Sequence, residues 1–114
     1  MAVSKDYLYM VKDALDPIGP ISHKRMFGGI GVYAQDYIIA LLMDDQLFFK
    51  TDAETRPLFE AEGMEPFSYA KKDGTVGVMT YFSAPEIVFD DGDEMVKWGR
   101  IALDASLRAP KKKK

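Results

Sequence analysis

The 114-residue sequence predicts an α+β fold, a two-layer sandwich of helices on a largely antiparallel sheet. Three observations predict it. Apolar residues recur at helical spacing near both ends of the chain and once in its middle. The runs between them alternate or are continuously apolar, as strands are. The connections between those runs are mostly two or three residues long, which suits hairpins and not parallel crossovers. The expected element order is α-β-β-β-β-α-β-β-α.

Ser4 caps the first helix, and Asp6 in its first turn suits the helix dipole. Tyr7, Leu8, Val11, Ala14 and Leu15 form its apolar stripe. Asp16-Pro17 ends it, because a residue before proline avoids the helical region, and Gly19-Pro20 continues the turn. From Ile21 the period changes. Ser22, Lys24 and Met26 alternate with Ile21, His23, Arg25 and Phe27, and Gly28-Gly29 breaks the strand. Ile30 to Ala34 and Tyr37 to Met43 are two more strands, joined at Gln35-Asp36; the second is nearly all apolar, as a central strand would be. Asp44-Asp45 makes the next turn. Gln46 to Lys50 is a fourth strand, with Leu47 and Phe49 on one face and Phe48 on the other. Thr51 to Glu54 reads as a capping box for a helix carrying Leu58, Phe59 and Ala61 and ending at Gly63; Pro57 belongs near its first turn, which also admits an ordered start later than Thr51. Phe67 to Lys71 and Val76 to Ser83 form a hairpin around Asp73-Gly74. Asp90, Asp91 and Asp93 precede the longest helix, which runs to about Ala109 with Met95, Trp98, Ala102, Ala105 and Leu107 in its stripe. Its alanines allow it to lie close to a sheet.

Length and a 47% hydrophobic content suit one domain, expected over residues 1–109, followed by a basic disordered tail at 110–114. The absence of cysteine excludes disulfides and thiolate chemistry and fits a reducing compartment. The single histidine excludes a histidine-rich metal site. The first residues lack a signal-peptide pattern, and no apolar run approaches the ~20 residues that span a bilayer. A cytoplasmic domain with no membrane partner is expected. The net charge is −3, with 15 basic and 18 acidic residues. Without Lys111, Lys112, Lys113 and Lys114, 11 basic residues face 18 acidic ones, or −7. An acidic body argues against wrapping nucleic acid. Lys24, Arg25, Lys71, Lys72 and the four terminal lysines are the candidate contacts should phosphates bind weakly.

Motifs for chemistry are sparse. Gly29-Ile-Gly31-Val-Tyr-Ala34 satisfies G-x-G-x-x-A, but strand follows it where a dinucleotide site needs a helix. Gly28, Gly29 and Gly31 are therefore read as conformational, permitting positive φ, a bulge or a bend. His23 has the ordinary pKa of a general base, yet no nucleophile with an orienting acid can be placed beside it. Asp90 to Glu94 lacks the spacing of a calcium loop, and Asp44-Asp45 are adjacent turn acids that point apart. No catalytic, cofactor-binding or metal-ligating residue is assigned, and no cofactor is expected. Tyr33, Tyr37, Phe48, Phe49, Phe67, Tyr69, Tyr81 and Phe82 all lie in expected strands. They fill the core, and any apolar sheet face left uncovered is a surface for a partner or a second copy.

Arg25 through Gly31, then Tyr33, then Leu47 to Lys50 and Asp52, resembles the N-terminal domain of the TfoX/Sxy competence regulators. Phe59 to Gly63, Pro66 to Tyr69, Tyr81 to Pro85, and Trp98 with Ala102 agree in order. The similarity spans about residues 5–109. Met26, Phe27, Gly28, Gly29 and Gly31 are its most specific part, a signature expected to be structural. The resemblance implies regulation of DNA-uptake genes together with the cyclic-AMP receptor protein, and no catalytic residue set. The family's C-terminal helix-hairpin-helix domain has no match after Leu107. The function expected on these grounds is a non-enzymatic regulatory domain with a protein partner, a transcription factor by resemblance, and a homodimer as a further expectation. The alternatives are a nucleic-acid-binding accessory protein using the basic tail, and a small-ligand-binding protein or enzyme using His23 or the glycine bend.

Overall fold

The structure, a computed structural model, describes residues 4–26, 29–43, 45–70 and 76–108. Phe27, Gly28, Asp44, the expected Asp73-Gly74 turn and the basic tail lie outside the described residues.

Helix α1 (Lys5–Leu15) starts where the Ser4 hydroxyl accepts the Tyr7 N–H at 3.1 Å. Leu8, Val11 and Leu15 are buried. The Ser4 N–H donates to Asp45 Oδ1 at 2.8 Å, which ties the helix start to a distant turn. Beyond Leu15 the chain tightens into a 3₁₀ turn, Asp16–Ile18, with Pro17 near its start and Ile18 buried. Gly19 then takes φ 140°, a conformation that side chains resist.

Six strands follow the helix: β1 (Ile21–Met26), β2 (Gly29–Ala34), β3 (Tyr37–Met43), β4 (Gln46–Lys50), β5 (Pro66–Ala70) and β6 (Val76–Ser83). They form one open sheet of order β1-β2-β3-β4-β6-β5, and every neighbouring pair is antiparallel. The β2–β3 link is the two-residue loop Gln35-Asp36, with φ 54° and 67°. Positive φ at both central residues matches the twist of the strands it joins.

Between β2 and β3 the register slips. Val32 faces Ala40, but Tyr33 faces Ile38, so Ile39 is an extra residue on β3. This bulge lets Ile39 and Ala40 both enter the main core. The unbroken burial of residues 39–42 therefore has two causes. Ile39, Ala40 and Leu42 face the helices, while Leu41 turns to a second cluster with Phe48 and Tyr81 on the opposite face.

Helix α2 (Arg56–Ala61) begins later than a capping box at Thr51 would place it. The reciprocal pair is Asp52 with Thr55. Asp52 Oδ1 accepts the N–H groups of Glu54 and Thr55, each at 3.0 Å, and Thr55 Oγ1 accepts the Asp52 N–H at 3.0 Å. Phe59 is the aromatic hub of the core, with ring centroids 4.8 Å from Trp98, 5.9 Å from Phe82 and 6.3 Å from Phe49. A short helix α3 (Ile87–Asp90), absent from the expected order, precedes α4 (Gly92–Arg108). Of the acids near that junction, Asp91 accepts the Asp93 N–H at 2.9 Å and so starts α4.

Helix α4 packs over β3 and β4 and against α1 and the 3₁₀ turn. Met95, Trp98, Ala102 and Ala105 are buried, as their spacing predicts, but Leu107 is 46% exposed. Leu103 and Ser106 take the inward positions of the last turns. Gly99 permits the close crossing: a Cβ there would meet Leu15 Cδ2 at 2.6 Å and Ile18 Cδ1 at 2.5 Å.

Candidate functional site

β1 is one edge of the sheet, paired only with β2 among the described residues. Ser22, His23, Lys24 and Arg25 are all exposed along it. Its register opposite β2 fixes where they point, because side chains alternate across a strand. His23 pairs with Val32 and Arg25 with Ile30, both members of the helix-side core, so these two stand on the helix side. Lys24 pairs with Gly31 and projects to the other side, its ammonium 5.8 Å from the centroid of the Tyr33 ring.

Helix α1 adds a further cation. Lys12 Nζ lies 3.1 Å from His23 Nδ1 and 5.9 Å from the Tyr9 ring centroid. An ammonium can only donate, so this contact is a hydrogen bond in the tautomer of neutral His23 that carries its proton on Nε2. Partial burial lowers the His23 pKa from its ordinary value, and the charges of Lys12 and Arg25 lower it further. Lys12, Lys24 and Arg25 have no carboxylate partner among the described residues. Among the described residues, a patch of like charge without a paired counter-charge is thus built into an acidic protein.

Of the eight basic residues proposed as phosphate contacts, the structure places Lys24 and Arg25 side by side on this edge. Lys71, Lys72 and Lys111, Lys112, Lys113 and Lys114 lie outside the described residues. Lys12 was not among the eight. It follows Val11 at the margin of the α1 stripe, and only the docking of α1 beside β1 brings it to His23.

Of the signature residues, Gly29 opens β2 facing Met26 on β1. A Cβ at Gly29 would collide with the Leu42 carbonyl oxygen and the Met43 side chain. The glycine is required there by the close approach of β3. The positive-φ glycines among the described residues are Gly19 and Gly63.

A second concave region, about 280 Å³, lies where the loop after β4 meets β6 and β5. Thr51, Asp52, Ala53, Arg56, Pro66, Thr80 and Phe82 line it. Its charges are occupied. Arg108 donates to Asp52 Oδ2 from Nε at 2.8 Å and to Oδ1 from Nη2 at 3.2 Å, and Glu54 lies 3.4 Å from the same guanidinium. These contacts hold Asp52 down to about 2, the Arg108 hydrogen bond contributing most. Arg56 pairs with Glu60 at 3.0 Å and sits over Phe82, 5.7 Å from its ring centroid. This cleft ties the end of α4 to the turn before α2.

The remaining chemistry is bland. The buried polar residues are Thr51, Thr55 and Ser106, with no charged residue among the described buried ones. No group of three histidine, cysteine or acidic side chains among the described residues could hold a metal ion. Tyr81, pushed up to about 12 by burial and then by Tyr33, stays protonated beneath Lys50, whose ammonium is 5.3 Å from its ring centroid. Among the described residues no helix is long and apolar enough to cross a membrane.

Comparison with known proteins adds the following. The sequence model of the TfoX N-terminal domain matches residues 13–106. A relative, the DNA transformation protein TfoX1 of Aliivibrio fischeri (strain ATCC 700601 / ES114), is 31% identical over 70 residues. Those residues are 61% of this chain and 33% of the relative, so the chain matches about a third of that protein's length.

Proposed function

Because the chain belongs to the TfoX N-terminal domain family, we propose that it is a regulatory domain that acts by holding a protein partner and performs no chemistry of its own. The observation that carries this reading is the edge strand β1. It presents His23, Lys24 and Arg25 in succession, with Lys12 beside them, on an otherwise acidic body. The charges elsewhere that could serve a reaction, at Asp52, Arg56 and Arg108, are committed to holding elements together. The pathway proposed is the one named for the relative, DNA transformation, with a transcription factor as the partner class.

Affinity capture on the immobilised full chain from nuclease-treated lysate tests this reading. A protein retained in stoichiometric amount after nuclease supports it. Retention of nucleic acid alone from a parallel lysate left without nuclease supports the second reading, in which Lys24 and Arg25 contact phosphates. That second reading requires an affinity that falls steeply with salt. Turnover of a small molecule by the purified chain contradicts both.

A further inference from the structure

From the exposed edge and the uncompensated charge of β1, we infer that the partner adds an extended acidic segment alongside β1 as a seventh strand. The inference rests on the interaction-domain reading and states how that interaction is made. Three features of the molecule carry it.

An edge strand has a row of backbone N–H and C=O groups turned away from its single neighbour, and an extended chain satisfies them by pairing. β1 is such an edge over the six residues Ile21–Met26, and its four central positions are exposed. Charge then chooses the added strand. Two copies of this chain paired through β1 would set Lys24 and Arg25 of one against those of the other, and like charges opposed across a sheet destabilise it. The charge that rejects a second copy selects a strand of opposite sign.

The arrangement of that charge is also matched to a strand. Lys12, His23 and Arg25 lie on the helix side of the sheet and Lys24 on the other. An added strand alternates its side chains between those sides. Acidic residues at alternate positions on the helix side would face Arg25 and Lys12 together, and a carboxylate on the far side would reach Lys24. Bringing carboxylates to this patch also relieves the repulsion from Lys12 and Arg25, which adds to burial in lowering the His23 pKa.

The inference predicts a dependence on backbone N–H donors, which plain charge attraction lacks. Two labelled probe peptides of equal charge test it: one of alternating Glu and Val, one of the same sequence N-methylated at every residue. N-methylation removes the backbone donors on both sides of the strand and cannot sustain a ladder. Fluorescence anisotropy on the full chain should give the Glu-Val peptide at least tenfold tighter binding. Amide hydrogen exchange should slow within residues 21–26 when it is bound. The double variant K24E/R25E should weaken binding at least tenfold, and K24Q/R25Q, which adds no repulsion, should fall between. Circular dichroism melts keep loss of folding separate from loss of binding.

Equal binding of the two peptides would overturn the inference, since it would show attraction without strand pairing. So would protection located outside β1, or tighter binding of a DNA duplex titrated in parallel. If a protein is captured from lysate but binds wild type and K24E/R25E alike, strand addition fails while the interaction-domain reading stands. If no protein is captured and the Glu-Val peptide still protects β1, the docking mode stands and the cellular role fails.

Discussion

Asp52 shows how much one side chain can organise. Its carboxylate holds the turn that leads into α2 through two backbone N–H groups and holds the end of α4 through Arg108. Replacing it by alanine should cost about 1–2 kcal/mol, the scale of hydrogen bonds lost with their acceptor, measured by urea denaturation. Its charge also sets a pH dependence. The folded pKa of about 2 lies below the ordinary 3.8, so the unfolded chain binds this proton first as pH falls. The stability it contributes is present above about pH 4 and is lost as pH drops toward 2. D52N should flatten that acid limb, and an unchanged limb would show that Arg108 does not hold the charge. His23 shifts the same way for a different reason. Its folded form resists protonation, so stability falls as pH drops below 6.5. An NMR titration should place its midpoint below 6.5, and K12A should raise that midpoint. Neither relation was legible in the sequence. Asp52 and Arg108 are 56 residues apart, and Lys12 reaches His23 only through tertiary docking.

At the scale of elements, most strands and the two long helices were legible, because each carries its own period and its own stop signal. Gln35-Asp36, Asp16-Pro17 and Gly63 terminate elements by local backbone chemistry. The errors came where tertiary contacts decide. Thr51 was expected to open the capping box of α2, but its N–H is held by the Thr80 carbonyl at 2.8 Å, the reciprocal pairing falls to Asp52 with Thr55, and the helix starts after Thr55 with no side-chain cap. Leu107, two residues after Ala105, turns off the buried stripe of α4 and is exposed, while Leu103 and Ser106 turn inward. The four residues of α3 are too few to show a period. Gly29 yields the sharpest test at this scale. G29A drives a Cβ into the backbone of β3 as well as the Met43 side chain, and overpacking costs about 1–3 kcal/mol. F59A should cost more, about 3–5 kcal/mol, because Phe59 is fully buried and its ring meets three others. Thermal melts of the two variants compare these losses directly.

Across the whole molecule, the arrangement of charge separates the core from the edge proposed to bind. The described core holds no charged side chain, and the cleft between α2 and the end of α4 neutralises its own ions. The edge at β1 does neither. Overall composition concealed this, because a net charge of −3 reports an acidic protein and says nothing of a cationic edge. The proposal that this edge holds the partner is tested by quantitative capture from nuclease-treated lysate on wild type and K24E/R25E in parallel, each checked for folding. One protein should be retained in stoichiometric amount by wild type and depleted at least tenfold on the variant. Equal retention of that protein on both would contradict it.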